Sequence, residues 1–178
     1  MTTRDIRYQA AVIDDAQRLL LLFCVPHGEP GFWVLPGGGR EDGESAEACV
    51  AREVREEANI EVAVGALLCD VVADPPDGTY HRWQTYRCHV KHGTPTPGSG
   101  EGGWATLTAV QWLPLTEPDT WESALGGDPF LRPQLRRIRE AVLEFDTAAA
   151  TGLTAPPSAP PHAATPATAS PAPPHHPD

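Results

Sequence analysis

One segment, GGREDGESAEACVAREVREEANI from Gly38 to Ile60, constrains this chain more than any other. Glycines follow a short apolar stretch and precede a helical pattern, so the backbone can turn closely there. Glu44 and Ser45 stand at the helix entrance, where a carboxylate suits the positive end of the dipole and Ser can cap. The helix, expected over Ser45–Ala58, carries Ala46, Val50 and Val54 at four-residue spacing as an apolar face. Beside that face run Glu53, Glu56 and Glu57. They share one side of the helix, and like charges at these spacings repel by a few tenths of a kcal/mol per pair. They also sit towards the negative end of the dipole. The arrangement is unfavourable alone and becomes sensible when a hard cation such as Mg²⁺ bridges the carboxylates. Taken by itself, the cluster reads rather as a solvated acidic face, partly neutralised by Arg52 and Arg55.

The wider spacing tips that balance. The segment resembles the Nudix box (the MutT signature), G-x5-E-x7-R-E-U-x-E-E-x-G-U with U a bulky aliphatic. Gly38, Glu44, Arg52, Glu53, Val54, Glu56, Glu57 and Ile60 are each in place, and the lead-in Trp33 to Gly37 is similar to the family's own. The resemblance implies an α/β (α+β) Nudix fold, a mixed β-sheet sandwiched between helices with a loop–helix–loop motif. It also implies a metal-dependent hydrolase that cleaves a pyrophosphate bond in a nucleoside diphosphate linked to another moiety. Glu53, Glu56 and Glu57, with a backbone carbonyl near Gly37, would then hold Mg²⁺ or Mn²⁺. Glu53, Arg52 and Glu44 form the candidate catalytic group. Glu53 is the first candidate base, Arg52 would orient a Glu through a bidentate pair, and Glu44 would support the loop–helix geometry. Glu101, in the loop before the last strand, is a second candidate base and equally a solvated loop residue.

Two other readings keep the same family. A degenerate domain would bind nucleotide as a regulator, which the intact Glu53, Glu56 and Glu57 oppose. An isomerase of an isoprenoid diphosphate would need further catalytic residues such as a Cys facing the metal, of which the scattered cysteines give no sign. The one departure from the box is Asn59, where the family has Gly. That position follows the helix and needs the left-handed conformation, which Asn tolerates best after Gly. Restoring Gly there is expected to change stability by no more than about 1 kcal/mol.

Around the box, strands and helices interleave. Ile6–Ile13 and Arg18–Val25 are apolar and β-prone, and Asp14–Gln17 between them suits a hairpin turn. Gly31–Leu35 is a short strand. Ile60–Ala73 and Thr79–His89 are two more, split by the turn signal Asp74 to Gly78. Residues 91–103 are a Gly/Pro-rich loop before a strand at Ala105–Leu113. Pro129–Phe145 reads as a helix with Leu131, Leu135, Ile138, Val142 and Phe145 on one stripe. From Thr147 the chain turns to Ala, Pro, Thr and Ser, which cannot bury enough apolar area to offset its ordering entropy. Residues 1–146 are therefore expected to form the domain and 147–178 a disordered tail.

Charge and composition narrow the partners. A net charge of −11 argues against a surface that wraps nucleic acid, which needs clustered Lys and Arg. The run Leu19–Val25 falls well short of the roughly 20 residues that span a bilayer, and the first residues lack a secretory apolar stretch. A cytoplasmic location follows as an expectation, with a small nucleotide-type molecule as partner and the oligomeric state open. Cys24, Cys49, Cys69 and Cys88 form no CxxC pair and read as buried, reduced thiols. Trp33, Tyr80, Trp83, Tyr86 and Trp104 are candidates to stack on a base, most of them expected to pack in the fold instead. His81 and Arg82 are candidates for phosphate, or simply strand-surface residues.

Overall fold

Side-chain alternation in the first two strands gives each of their faces a separate core. The structure is a computed structural model and describes residues 6–72, 80–99, 104–125 and 131–151. Strands β1 (Ile6–Val12) and β2 (Arg18–Pro26) send Tyr8, Ala10, Val12, Leu20 and Leu22 to one side. There they meet Cys49, Val50, Val54 and Ala58 of helix α1 (Ala46–Ala58). Ala11, Leu19 and Leu21 face the other way, towards Trp121 and Leu125 of α2 (Trp121–Leu125) and Leu135, Ile138 and Val142 of α3 (Leu131–Thr151). The unbroken apolar run Leu19–Leu22 is thus explained: both faces of β2 are buried.

The strands form two sheets rather than the single mixed one expected. The first has the order β4-β1-β6-β5, with β4 at Gly37–Gly38, β5 at Glu61–Val72 and β6 at Arg82–His92. It is mixed, since β1 and β6 run parallel while the other pairs are antiparallel. The second, antiparallel throughout, has the order β3-β2-β7, with β3 at Phe32–Val34 and β7 at Ala105–Pro114.

The expected β1–β2 hairpin is not what forms. The turn is real: the Asp14 carboxylate accepts from the N–H groups of Ala16 and Arg18, and Gln17 takes a positive φ of 56°. After one bridge, Ile13 to Leu19, the strands part into different sheets. Both edges of β1 are already taken, by β4 and by β6, so β2 has no edge to join. The other strands fall near their expected places, with β6 running three residues beyond His89. The turn signal at 74–78 lies outside the described residues. The short 3₁₀ turn Pro118–Thr120 and α2 had no sequence signal strong enough to predict them.

The last helix also outruns its expected end. It continues to Thr151, past the boundary drawn at Thr147, because Ala148, Ala149 and Ala150 are the best helix formers available. Its core contacts nevertheless stop at Val142, and Phe145 is only half-buried. Among the described residues no helix is long and apolar enough to cross a membrane, and all four cysteines are free thiols, three of them buried. Ending the chain after Asp146 should therefore lower the melting temperature by no more than about 4 °C, the equivalent of about 1 kcal/mol for a chain of this size. Loss of the cooperative melt in that truncation would show that residues 147–178 belong to the domain.

Candidate functional site

Two glutamates of α1, Glu53 and Glu57, meet the two glycines of β4. Ser45 caps the helix by accepting from the Ala48 N–H at 3.1 Å, and Asn59 ends it in the left-handed conformation, φ 55° and ψ 33°. Between those caps Glu53 is fully buried, Glu57 is buried, and the Glu56 side chain remains 40% exposed. Gly38 lies directly over the Glu53 carboxylate: a Cβ there would fall 2.3 Å from Oε1. Gly37 donates its N–H to Glu57 Oε2 at 2.9 Å, and its own Cβ position lies 2.3 Å from the Tyr8 carbonyl. Both glycines are thus demanded by close approach. The expected glycine turn is in fact a two-residue strand, held by pairing of Gly38 with Tyr8 and of Gly37 with Gln9.

Arg52 resolves much of the charge conflict that the sequence posed. Its Nε and Nη2 donate to Glu44 Oε1 and Oε2 at 3.0 and 3.3 Å, the bidentate pair expected of it. Nη2 also donates to the Gly39 carbonyl at 3.0 Å, while Nη1 lies 2.9 Å from Glu53 Oε1 and 3.1 Å from Glu56 Oε2. One guanidinium therefore ties three carboxylates and the glycine segment together. Burial alone would raise the Glu44 carboxyl, but the Arg52 hydrogen bond and the Glu41 N–H outweigh it and hold Glu44 below the usual carboxylate range. Burial likewise disfavours the Arg52 cation, and the Glu44 and Glu53 carboxylates more than compensate.

The donors at this site are hard oxygens: carboxylates of Glu53, Glu56 and Glu57 and the carbonyls of the glycine segment. That chemistry fits Mg²⁺ or Mn²⁺. As the side chains lie, no three acidic, His or Cys side chains converge on one point among the described residues. Arg52 Nη1 holds Glu53 and Glu56, and the Gly37 N–H holds Glu57. A cation here competes with those donors for the same oxygens.

The remaining candidates disperse. Ile60 is buried in the core beneath α1, and Glu101 lies outside the described residues. Tyr86 is a core residue, Tyr80 is buried with the Arg7 guanidinium over its ring, and Trp33 packs edge-on to Phe23 at 5.0 Å. Trp104 is exposed, whereas Trp83 is half-buried with a buried Nε1 that has no hydrogen-bond partner. Arg82 is engaged by a two-pronged pair with Asp70, and His81 is exposed. Two features were missed. Gln9 accepts at Oε1 from Thr85 Oγ1 at 3.3 Å and from Gln134 Nε2 of α3, forming a largely buried polar cluster on the face of β1 turned away from α1. The Asn59 side chain is bonded as well as its backbone turned. These partners are dozens of residues apart, so no local pattern marks them.

Two variants probe this geometry. Gly38→Ala should destabilise by about 1–3 kcal/mol through overpacking against Glu53, and turnover should fall with it; chemical denaturation beside a rate assay measures both. The depressed Glu44 carboxyl contributes stability that is present above the ordinary carboxylate range and lost as pH falls through the folded-state value. Glu44→Gln should therefore melt lower than the parent at pH 7, with the gap closing in acid. A gap that stays constant with pH would rule out the charge of Glu44 as its source.

Comparison with known proteins agrees with this architecture. A 47-residue stretch is 47% identical to an 8-oxo-dGTP diphosphatase of Proteus vulgaris, covering 26% of this chain and 42% of that relative. Among solved structures, an ADP-ribose pyrophosphatase from Streptococcus suis superposes with a TM-score of 0.56 at 21% identity, over 79% of this chain and 92% of that one. A MutT protein from Methanosarcina mazei Go1 gives 0.57 at 20% identity, over 76% and 93%. The NUDIX domain family model matches residues 5–137, the stretch that holds both sheets, α1 and the start of α3, and the chain belongs to the NUDIX family.

Proposed function

We propose that this chain is a divalent-metal-dependent hydrolase that cleaves a pyrophosphate bond in a nucleoside diphosphate linked to a further group, acting in the cytoplasm. The observation that carries the reading is the complete acidic face of α1, Glu53, Glu56 and Glu57, of which Glu53 and Glu57 lie against Gly38 and Gly37 and Glu56 is held by Arg52. The similar proteins bear names that share this substrate chemistry: an 8-oxo-dGTP diphosphatase, an ADP-ribose pyrophosphatase and a UDP-X diphosphatase. The classes to test are (d)NTPs, ADP-ribose, dinucleoside polyphosphates and sugar nucleotides. The regulator reading lacks a matching observation, since none of the three carboxylates is lost.

In the proposed mechanism Glu53, Glu56 and Glu57, with a backbone carbonyl near Gly37, would hold Mg²⁺ or Mn²⁺. The cation would neutralise diphosphate charge and lower the pKa of a bound water. Glu53 is the first candidate to take the proton of the attacking water at a carboxylate oxygen. Arg52 is a positioning residue that keeps Glu53 and Glu56 on one side of the helix, and Glu44 positions Arg52 in turn. Burial of Glu53 and Glu57 excludes bulk water from the oxygens that do this work.

A hydrolysis screen over the four substrate classes with Mg²⁺ tests the proposal, with Glu57→Gln as the control. The parent should turn over at least one class, and Glu57→Gln should lose orders of magnitude while remaining folded. Because the substitution relieves repulsion with Glu53, its metal-free melting temperature should be equal or slightly higher. Nucleotide binding by the parent without any hydrolysis would favour the regulator instead.

A further inference from the structure

Asn59 does more than tolerate a left-handed turn. Its Nδ2 group donates to the Thr96 carbonyl at 3.3 Å, to Thr96 Oγ1 at 3.2 Å and to the Pro97 carbonyl at 3.2 Å. Two of these partners are carbonyls, which can only accept, so the side chain is needed as a donor. The same loop donates back to the helix: Thr96 N–H to the Ala58 carbonyl at 3.1 Å, and Gly98 N–H to the Glu57 carbonyl at 2.9 Å. These carbonyls belong to the last turn of α1, where no intrahelical partner exists. Two glycines make the contact possible. A Cβ on Gly98 would fall 1.9 Å from the Glu56 carbonyl, and one on Gly93 would fall 3.1 Å from the Asn59 carbonyl.

We infer that Asn59 is a positioning residue, whose side-chain amide ties the 93–99 loop to the end of α1 and thereby fixes the turn from which Glu56 and Glu57 project. The family's Gly would keep the backbone turn and lose this tie. The loop is bonded to the backbone of Glu57 and packed against that of Glu56, so its loosening frees the frame of both carboxylates. This consequence rests on the proposed metal role of Glu56 and Glu57, while the tie itself does not.

Substitution separates a backbone role from a side-chain role. A backbone role predicts that Asn59→Gly and Asn59→Asp both match the parent, since each accepts the left-handed conformation. A donor role predicts the order Asn, then Gly, then Asp, because Asp would turn a negative charge towards three oxygens. Amide hydrogen exchange on the full chain without metal reads the tie directly. In Asn59→Gly the Thr96 and Gly98 amides should exchange at least roughly tenfold faster, with Val50 and Val54 unchanged. In the hydrolysis assay the half-saturating Mg²⁺ concentration should rise roughly tenfold, with turnover at saturating Mg²⁺ close to the parent's and a smaller change in melting temperature than a core lesion gives. Unchanged exchange in Asn59→Gly, or parent-like behaviour of Asn59→Asp, overturns the tie. Faster exchange with an unchanged Mg²⁺ requirement overturns the positioning role. An unchanged Mg²⁺ requirement in Glu57→Gln instead sinks the metal reading and the positioning role with it, so the two failures are told apart.

Discussion

A fully buried carboxylate, that of Glu53, is the constraint around which this structure is arranged. Removing the partner of a buried ion pair destabilises by about 3–5 kcal/mol, far more than any surface pair contributes. Glu53 is tolerated because Arg52 stands 2.9 Å away and because Gly38 leaves it room. Each of those supports depends on another. Arg52 is held by Glu44 and the Gly39 carbonyl, and Gly38 is held in place by its pairing with Tyr8 of β1. Strand β1 is in turn pinned between β4 and β6 and buried on both faces. The acidic face is thereby mounted on the most constrained part of the fold, and its residues cannot relax away from one another.

The parts of this arrangement that could be read in the sequence are those with local causes. Helix α1, its Ser45 cap, its left-handed exit at Asn59 and its acidic face all depend on residues within a few turns of each other. The same is true of the strand pair β5–β6 and the apolar stripe of α3. What could not be read was decided at a distance. Asp14 to Gln17 has the composition of a hairpin turn and does turn, yet whether β2 joins β1 depends on β6, some seventy residues later in the chain, occupying the edge first. The end of α3 was misread for a different reason. Thr and Ala were weighed as tail composition, while Ala is also the strongest helix former, and the helix already under way simply continued.

Charge shows the same division between local and distant causes. Within the helix, Glu53, Glu56 and Glu57 repel, and the chain as a whole carries a net charge of −11. The box supplies its own partial remedy in Arg52, whose guanidinium reaches Glu44, Glu53 and Glu56 at once. Glu57 in addition takes a backbone N–H from Gly37. A backbone donor stabilises an anion without supplying a full positive charge. The site therefore retains net negative charge in a largely buried setting, which is the electrostatic condition that favours binding a divalent cation.

The acidic half of the helix is held from two sides by backbone from elsewhere in the chain. At its middle and last turn the glycines of β4 lie against Glu53 and Glu57, and at its end the 93–99 loop caps Glu57 and Ala58. Glu57 is the residue both supports share: its carboxylate meets Gly37, and its carbonyl meets Gly98. A side chain fixed at its tip and a backbone fixed at its root leave that glutamate very little freedom. The family motif specifies part of the first support, Gly38 against Glu53, and Gly37 stands in the lead-in directly before it. The motif does not specify the second: it comes from Gly98, outside the motif, and from the Asn59 amide, at the one position that departs from it. A residue that departs from a motif can therefore still serve the geometry the motif encodes, provided its side chain replaces flexibility with a bond.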